Sequence, residues 1–289
     1  MRKASAIQTE SDQIGTVEDL TGVFESIAST QVAKSKSRVE LSKEFFQILW
    51  KRYTSIRIDP SSRITSRDQD DNGKKVFVII SAEAGLSGDI DDRLIEEMLK
   101  SYDATTTDII VLGSHGANQL IQRNIPYTRY FQVPESENYV DVTPVMEAIA
   151  PYASVKVFYE EYVSLGVQGI KTIDLISTIR SMGDEADADN DEDIITSMDT
   201  IFEPSLEEIA DQMEVTMMTL AFSQAILESN LAQNASRFNA MAAAKKRAFE
   251  LLKYYQMEFH RAKRSEGDRR LREVMISIKR KRKSKAKKH

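Results

Sequence analysis

The sequence predicts an α/β protein in which long N- and C-terminal helices pair as an antiparallel coiled coil around an inserted α/β domain. Three observations carry this. All six prolines fall between Pro60 and Pro204, so both ends lack the residue that interrupts helices. Both ends also carry apolar residues at alternating three- and four-residue spacing, the period of one helix face. The middle instead alternates short β-branched runs with short helical patterns.

The first coiled-coil helix is assigned to residues 1–58. From Ile14 its stripe runs Ile14, Val17, Thr21, Phe24 and Ala28, and it continues through Phe45, Phe46, Leu49 and Trp50. It is expected to end near Ile58, ahead of Asp59 and Pro60. Residues 59–74 are polar and rich in turn formers, and read as a loop.

The globular domain, 75–180, opens with the strand VFVIISA at 76–82, a glycine-containing turn and the helical pattern DIDDRLIEEMLKSY. A second strand, DIIVLGS at 108–114, is followed by HGANQLIQRN and a third strand, TRYFQV, at 128–133. Strands alternating with short helices give a Rossmann-like α/β layer with largely parallel pairing. A helix at about 141–150 leads to SVKVFYEEYV at 154–163 and GIKTIDLIS at 169–177, which read as a hairpin.

An acidic linker, 181–203, contains GDEADADNDED at 183–193, a solvated loop by composition. The C-terminal coiled-coil helix, 204–280, starts after Glu203 and Pro204, with Ser205 as N-cap and Glu208 three residues on. Its seam is Phe238, Met241, Ala248, Leu252, Tyr255, Phe259 and Ala262, interrupted by Lys245 where an apolar residue is due. A helix of this span is on the order of 110 Å long, far more than a small domain's diameter, so much of it must lie against another helix or another protein. The first helix, with its matching stripe, is the expected neighbour. Residues 281–289 form a basic tail.

Composition narrows the function classes. With 41% apolar and 29% charged residues in 289, the chain can bury a core. No apolar run approaches 18 residues and the opening MRKASAIQTESDQIG has no apolar signal core, so membrane association is expected only through a partner. The absence of cysteine excludes disulfides, thiolate zinc sites and cysteine nucleophiles. The net charge of −6 hides an asymmetry: residues 236–289 hold 19 Lys/Arg against 5 Asp/Glu, a net of +14, which leaves −20 on the preceding 235. A basic end of this kind seeks an acidic surface.

Reactive motifs are weak. Gly85–Gly88 follows a strand and could cradle a phosphate, but neither the dinucleotide fingerprint nor a P-loop lysine accompanies it, so it reads as a structural turn and no direct nucleotide binding is expected. Asp187, Asp189 and Asp191 imitate a calcium loop, yet Glu192 and Met198 stand where glycine and a bidentate glutamate are needed. His115, His260 and His289 have no partner at a recognisable spacing, and Met213, Met217 and Met218 read as packing. No catalytic, metal-binding or cofactor-binding residue is assigned. Lys279–Lys288 could bind nucleic acid by counterion release, but it lacks interleaved aromatics, which favours a solvated extension or an acidic protein surface.

Three segments resemble the gamma subunit of F-type ATP synthases. In 228–251 the family's Glu-Ser start and Ala-x-Arg-Met-x-Ala-Met are matched by Glu228, Ser229, Ala235, Arg237, Phe238, Ala240 and Met241. Residues 78–94 are similar to the family's strand and Gly-Leu-Cys-Gly turn, here Gly85, Leu86, Ser87 and Gly88. The first helix is similar in register at Ile14, Thr16, Ile27, Ala28 and Lys34. The family's closing signature falls on Gly267 to Ile278, where Gly267, Asp268 and Arg270 depart from it and only Glu273 matches. The basic run KRKRKSKAKKH that follows is one the family normally lacks.

The resemblance implies a non-catalytic central-stalk rotor, with its terminal helices inside a hexamer of alpha and beta subunits. The lobe would rest with the epsilon subunit on the membrane c-ring, peripheral to the cytoplasmic face of a bacterial plasma membrane. It offers as partner contacts Lys34, Arg237, Met241, Lys245, Lys246, Arg261, Lys263, Arg264 and Glu273, the basic members on the long helix, with Arg247, facing acidic loops of the beta subunits. Two other readings stay open: a coiled-coil adaptor or nucleic-acid-associated protein that uses the basic end, and a gamma-like subunit of a specialised ATPase machine.

Overall fold

The computed structural model describes residues 3–55, 74–133, 141–175, 177 and 205–286. These form α1 (Ala4–Ser55), β1 (Lys75–Ile80), α2 (Ile90–Leu99), β2 (Thr107–Leu112), α3 (Ser114–Gln122), β3 (Arg129–Phe131), α4 (Thr143–Ile149), β4 (Ser154–Tyr162), β5 (Gln168–Asp174) and α5 (Leu206–Ala286). The helix end at 56–58, the loop 59–73, the acidic linker with its three aspartates and the tail's last three residues lie outside the described residues. The chain divides into two units, Met1–Ser26 with Ala240–His289, and Ile27–Asn239.

Unit Ile27–Asn239 is organised by a five-stranded sheet of order β3-β2-β1-β4-β5. β1 pairs in parallel with both β2 and β4, from Lys75↔Thr107 and Lys75↔Ser154 onward, and β2 pairs in parallel with β3. β4 and β5 form the expected antiparallel hairpin, from Lys156↔Asp174 to Tyr162↔Gln168. Helices cover both faces, which is why β1 and β2 read as unbroken apolar runs rather than alternating ones. Val76, Val78 and Ile80 face α4 together with Phe222, Ala225 and Ile226 of α5. Phe77 and Ile79 face Leu94, Ile95 and Met98 of α2 and Ala117 and Leu120 of α3.

The turn from β2 into α3 depends on glycine. Gly113 has φ +97°, and a Cβ there would collide with the backbone carbonyl of Ser81. Gly116 brings α3 against the Ser81 hydroxyl, which accepts the Gly116 N–H at 3.0 Å. Gly113→Ala combines a positive-φ backbone with overpacking, each costing about 1–3 kcal/mol, so a loss of about 2–6 kcal/mol is expected in denaturant unfolding.

Both terminal helices contribute to this unit. Met217 of α5 is fully buried with Phe46, Leu49 and Trp50 of α1 against it, and Lys43 lies 3.9 Å from Glu228. At the start of α5, Ser205 accepts the Glu208 N–H at 3.2 Å, the predicted N-cap.

In the other unit the same two helices run in opposite directions. The Ala4 N–H donates to Glu266 at 3.1 Å, and Lys245 pairs with Glu25 at 2.9 Å. Ala4, Ile7 and Ser11 of α1 and Met241 and Ala248 of α5 are buried, while Leu252, Tyr255, Phe259 and Ala262 are half-buried.

The stripe expected on α1 needs correction. Ile14 is half-buried and Thr21 and Ala28 are buried, but Val17 and Phe24 are exposed at 50% and 40%. Glu18 and Glu25, one residue further along, take the inward positions between them. The physical reason is on α5: Lys245 occupies a seam position, and the carboxylate of Glu25 meets its ammonium. That contact holds the Lys245 pKa above its usual value.

Candidate functional site

The densest polar chemistry lies where α5 crosses the sheet. Ser229, Gln233, Ser236 and Arg237 follow one another at i, i+4, i+7 and i+8 and so share one helix face. Every one of them bonds to the sheet or its turns. Ser229 Oγ lies 2.6 Å from Glu160 Oε2 on β4 and 3.3 Å from the Ile80 carbonyl of β1. Gln233 Nε2 donates to the same Glu160 oxygen at 2.7 Å. Ser236 donates to the Ser87 carbonyl at 2.5 Å, and Arg237 donates to the carbonyls of Ala84 and Gly85 at 3.0 and 3.3 Å.

The glycine turn is shaped for this. Leu86 and Gly88 adopt φ +69° and +73°, in a turn whose Ala84, Gly85 and Ser87 carbonyls point toward α5. Carbonyls aimed at a helix are acceptors, the opposite of the N–H cradle that a phosphate requires.

Behind the turn, Asp91 at the start of α2 is fully buried. It accepts the Ala82 N–H and the Ser87 hydroxyl, each at 2.9 Å, and lies 2.9 Å from His115 Nδ1 on α3. Ser87 therefore bonds to the carboxylate and not to the imidazole, so the three side chains do not form a nucleophile relay. Glu160, also fully buried, has its carboxyl pushed well above the usual range, first by burial and then by the negative charge of Asp91. Burial also lowers the Arg237 pKa and, with Glu228 next to it, raises that of Tyr159. Chemically this is a joint: it fastens a helix to a sheet. Among the described residues no group of three or more His, Asp or Glu is placed to hold a metal.

The predicted contact residues separate into two sets. Arg237 and Met241 face inward, the first on the glycine turn and the second buried in the unit formed by the chain ends. Lys34, Lys246, Arg261, Lys263 and Arg264 are exposed. Arg261 pairs with Glu258 at 2.7 Å, Lys263 lies over the Phe259 ring and Glu273 pairs with Arg269 at 3.6 Å. The residues that sequence reasoning missed are Asp91, His115, Glu160 and Gln233. The contacts that draw them together, Asp91 to His115 and Gln233 to Glu160, span 24 and 73 residues of sequence, so no local spacing reveals them. The one available signal was the polar Ser229 and Gln233 on the otherwise apolar face of α5.

Comparison with known proteins fixes the family. The family model described as ATP synthase matches residues 3–277. The chain belongs to this family. Its curated relatives are ATP synthase gamma chains: that of Rhodopirellula baltica is 24% identical, covering 96% of this chain and 98% of the relative. That of Malacoplasma penetrans is 21% identical over 92% and 95%. The fold matches a chain in the Euglena gracilis mitochondrial ATP synthase, in an OSCP/F1/c-ring structure, with TM-score 0.65, 14% identity and coverage of 95% and 94%. A chain in the Tetrahymena thermophila central stalk/c-ring structure matches with TM-score 0.58, 17% identity and coverage of 78% and 99%. The chain is thus a member of the ATP synthase family, similar along nearly its whole length to gamma chains and to the fold of chains in rotor and central-stalk structures. Among the described residues no helix is long and apolar enough to cross a membrane.

Proposed function

We propose that this chain is the torque-transmitting, non-catalytic rotor of an F-type ATP synthase. Its two terminal helices form an antiparallel coiled coil gripped by the alpha–beta hexamer, and its sheet rests with an epsilon subunit on the membrane c-ring. The observation that carries this reading is the polar face of α5: one helix supplies Ser229, Gln233, Ser236 and Arg237 to the sheet and then continues to Ala286. At ~1.5 Å per residue its 81 residues reach about 120 Å, so a load applied at the sheet has a continuous path along the helix. As an asymmetric shaft turns, it contacts three catalytic sites differently and shifts each among its conformations. The exposed cations Lys246, Arg261, Lys263 and Arg264 supply the charge for acidic loops of the beta subunits. The complex would lie at the cytoplasmic face of a bacterial plasma membrane.

Co-purification tests this reading. A tagged chain is expected to bring down nucleotide-binding alpha and beta subunits, and recovery of salt-sensitive nucleic acid alone would favour the adaptor reading instead. Deleting residues 279–289 is expected to leave that complex intact, because the basic run lies outside the segments that match the family; loss of alpha and beta on deletion would contradict this.

A further inference from the structure

In the joint between the sheet and α5, one oxygen is left over. Glu160 Oε2 accepts from both Ser229 and Gln233, whereas the equally buried Glu160 Oε1 has no donor. The group that faces this carboxyl is another carboxylate, Asp91. Two ionised carboxylates cannot bond to each other, and a buried, unpaired oxygen against a like charge is among the costliest arrangements a core can hold. A single proton removes both difficulties. Asp91 already accepts from Ala82 and Ser87 and lies 2.9 Å from His115 Nδ1, which makes it the acceptor of the pair and Glu160 the donor.

We propose that Glu160 is a positioning residue that carries a proton at neutral pH and donates it from Oε1 to Asp91, so that the sheet and α5 are fastened through a shared proton. Every element packed on this point supplies a group that fits. α2 brings Asp91, α3 brings His115, and α5 brings Ser229, Gln233 and the partly buried Arg237, whose charge acts on both carboxyls. The neighbouring Tyr159–Glu228 contact at 3.5 Å lies outside the shared-proton pair. The burial that holds the Glu160 proton has the sign the proposal needs. The folded chain binds this proton more tightly than the unfolded chain does. Its contribution to stability is therefore complete below the ordinary glutamate pKa of 4.5 and is lost as pH rises through the raised folded value. Ionisation sets two negative charges against each other beneath the helix that bears the load. The consequence for torque rests on the rotor reading; the shared proton does not.

The test uses the full-length chain alone, so it is independent of whether alpha and beta subunits bind. Infrared spectra near neutral pH are expected to show the carbonyl stretch of a protonated, buried carboxyl that disappears at alkaline pH. Glu160→Gln should abolish that band, because its amide donates to Asp91 and accepts from Ser229 and Gln233 in the same positions. It should also fold with a midpoint at least as high as the parent at neutral pH and lose the parent's decline in midpoint with rising pH. Asp91→Asn removes the facing negative charge while its amide oxygen can still accept from Glu160, and should keep the band near neutral pH but move its disappearance to lower pH than in the parent. Absence of the band in the parent chain, failure of Glu160→Gln to fold, or an unchanged pH slope in that variant would each overturn the proposal.

Discussion

A chain ending at Asn239 is expected to lose the alpha and beta subunits completely on co-purification while its sheet unit still unfolds cooperatively. The cut falls between the two units of the fold. On its N-terminal side remain all five strands, Phe222, Ala225 and Ile226 beneath them, and the four polar residues that fasten α5 to Glu160 and the glycine turn. What disappears is Met241, Ala248 and the rest of the surface against which Ala4, Ile7 and Ser11 of α1 are buried, together with the exposed cations at 246 to 264. An isolated helix in water is marginal without a packed face, so residues 4–26 lose their order as well. Circular dichroism melting reports the surviving sheet unit and a pull-down reports the lost partners. Undiminished binding of alpha and beta by the truncated chain would place the gripped surface elsewhere.

Phe222→Ala is expected to destabilise the sheet unit by about 3–5 kcal/mol, the usual range for removing a fully buried phenylalanine ring. Phe222 is 0% exposed, and it is the largest of the three α5 side chains set into the sheet face formed by Val76, Val78, Ile80, Val155 and Val157. Its loss leaves a cavity at the crossing of helix and sheet, where two rigid elements cannot both close in. Denaturant titration of the full chain measures the change. Leu20→Ala on α1 serves as the contrast: Leu20 is 52% exposed, and its truncation should stay within about 0.5 kcal/mol.

The sheet was legible because its signals are local. VFVIISA and DIIVLGS are short, β-branched and bounded by turn residues, and β1 and β2 overlap them at Lys75–Ile80 and Thr107–Leu112, each beginning one residue earlier. The start of α5 was legible for the same reason, since a cap is a contact over three residues. Register between distant segments was not. A hydrophobic stripe drew Val17 and Phe24 inward, whereas the seam takes Glu18 and Glu25 and leaves those apolar side chains exposed. Only knowledge that Lys245 lies opposite explains the choice, and that pairing spans 220 residues. The internal bonds of Arg237, which was offered as a partner contact, were hidden for a related reason. As a cation on a long helix it reads as a surface contact, yet the turn at Ala84–Ser87 presents carbonyls to it from 152 and 153 residues away. Glu160 sits in VFYEEY next to Glu161, and composition cannot tell the fully buried member of that pair from the half-buried one.

Rotation is the most direct test of the axle. The sequence contains no cysteine, so Ile121→Cys on α3, at a position 58% exposed, gives a single attachment site for a bead or dye on the sheet unit. With the hexamer fixed to a surface and ATP supplied, the label is expected to turn in one direction in discrete steps, and to stop when ATP is withdrawn. A label that only fluctuates about a fixed orientation while ATP is being hydrolysed would contradict the central claim that this chain is the shaft.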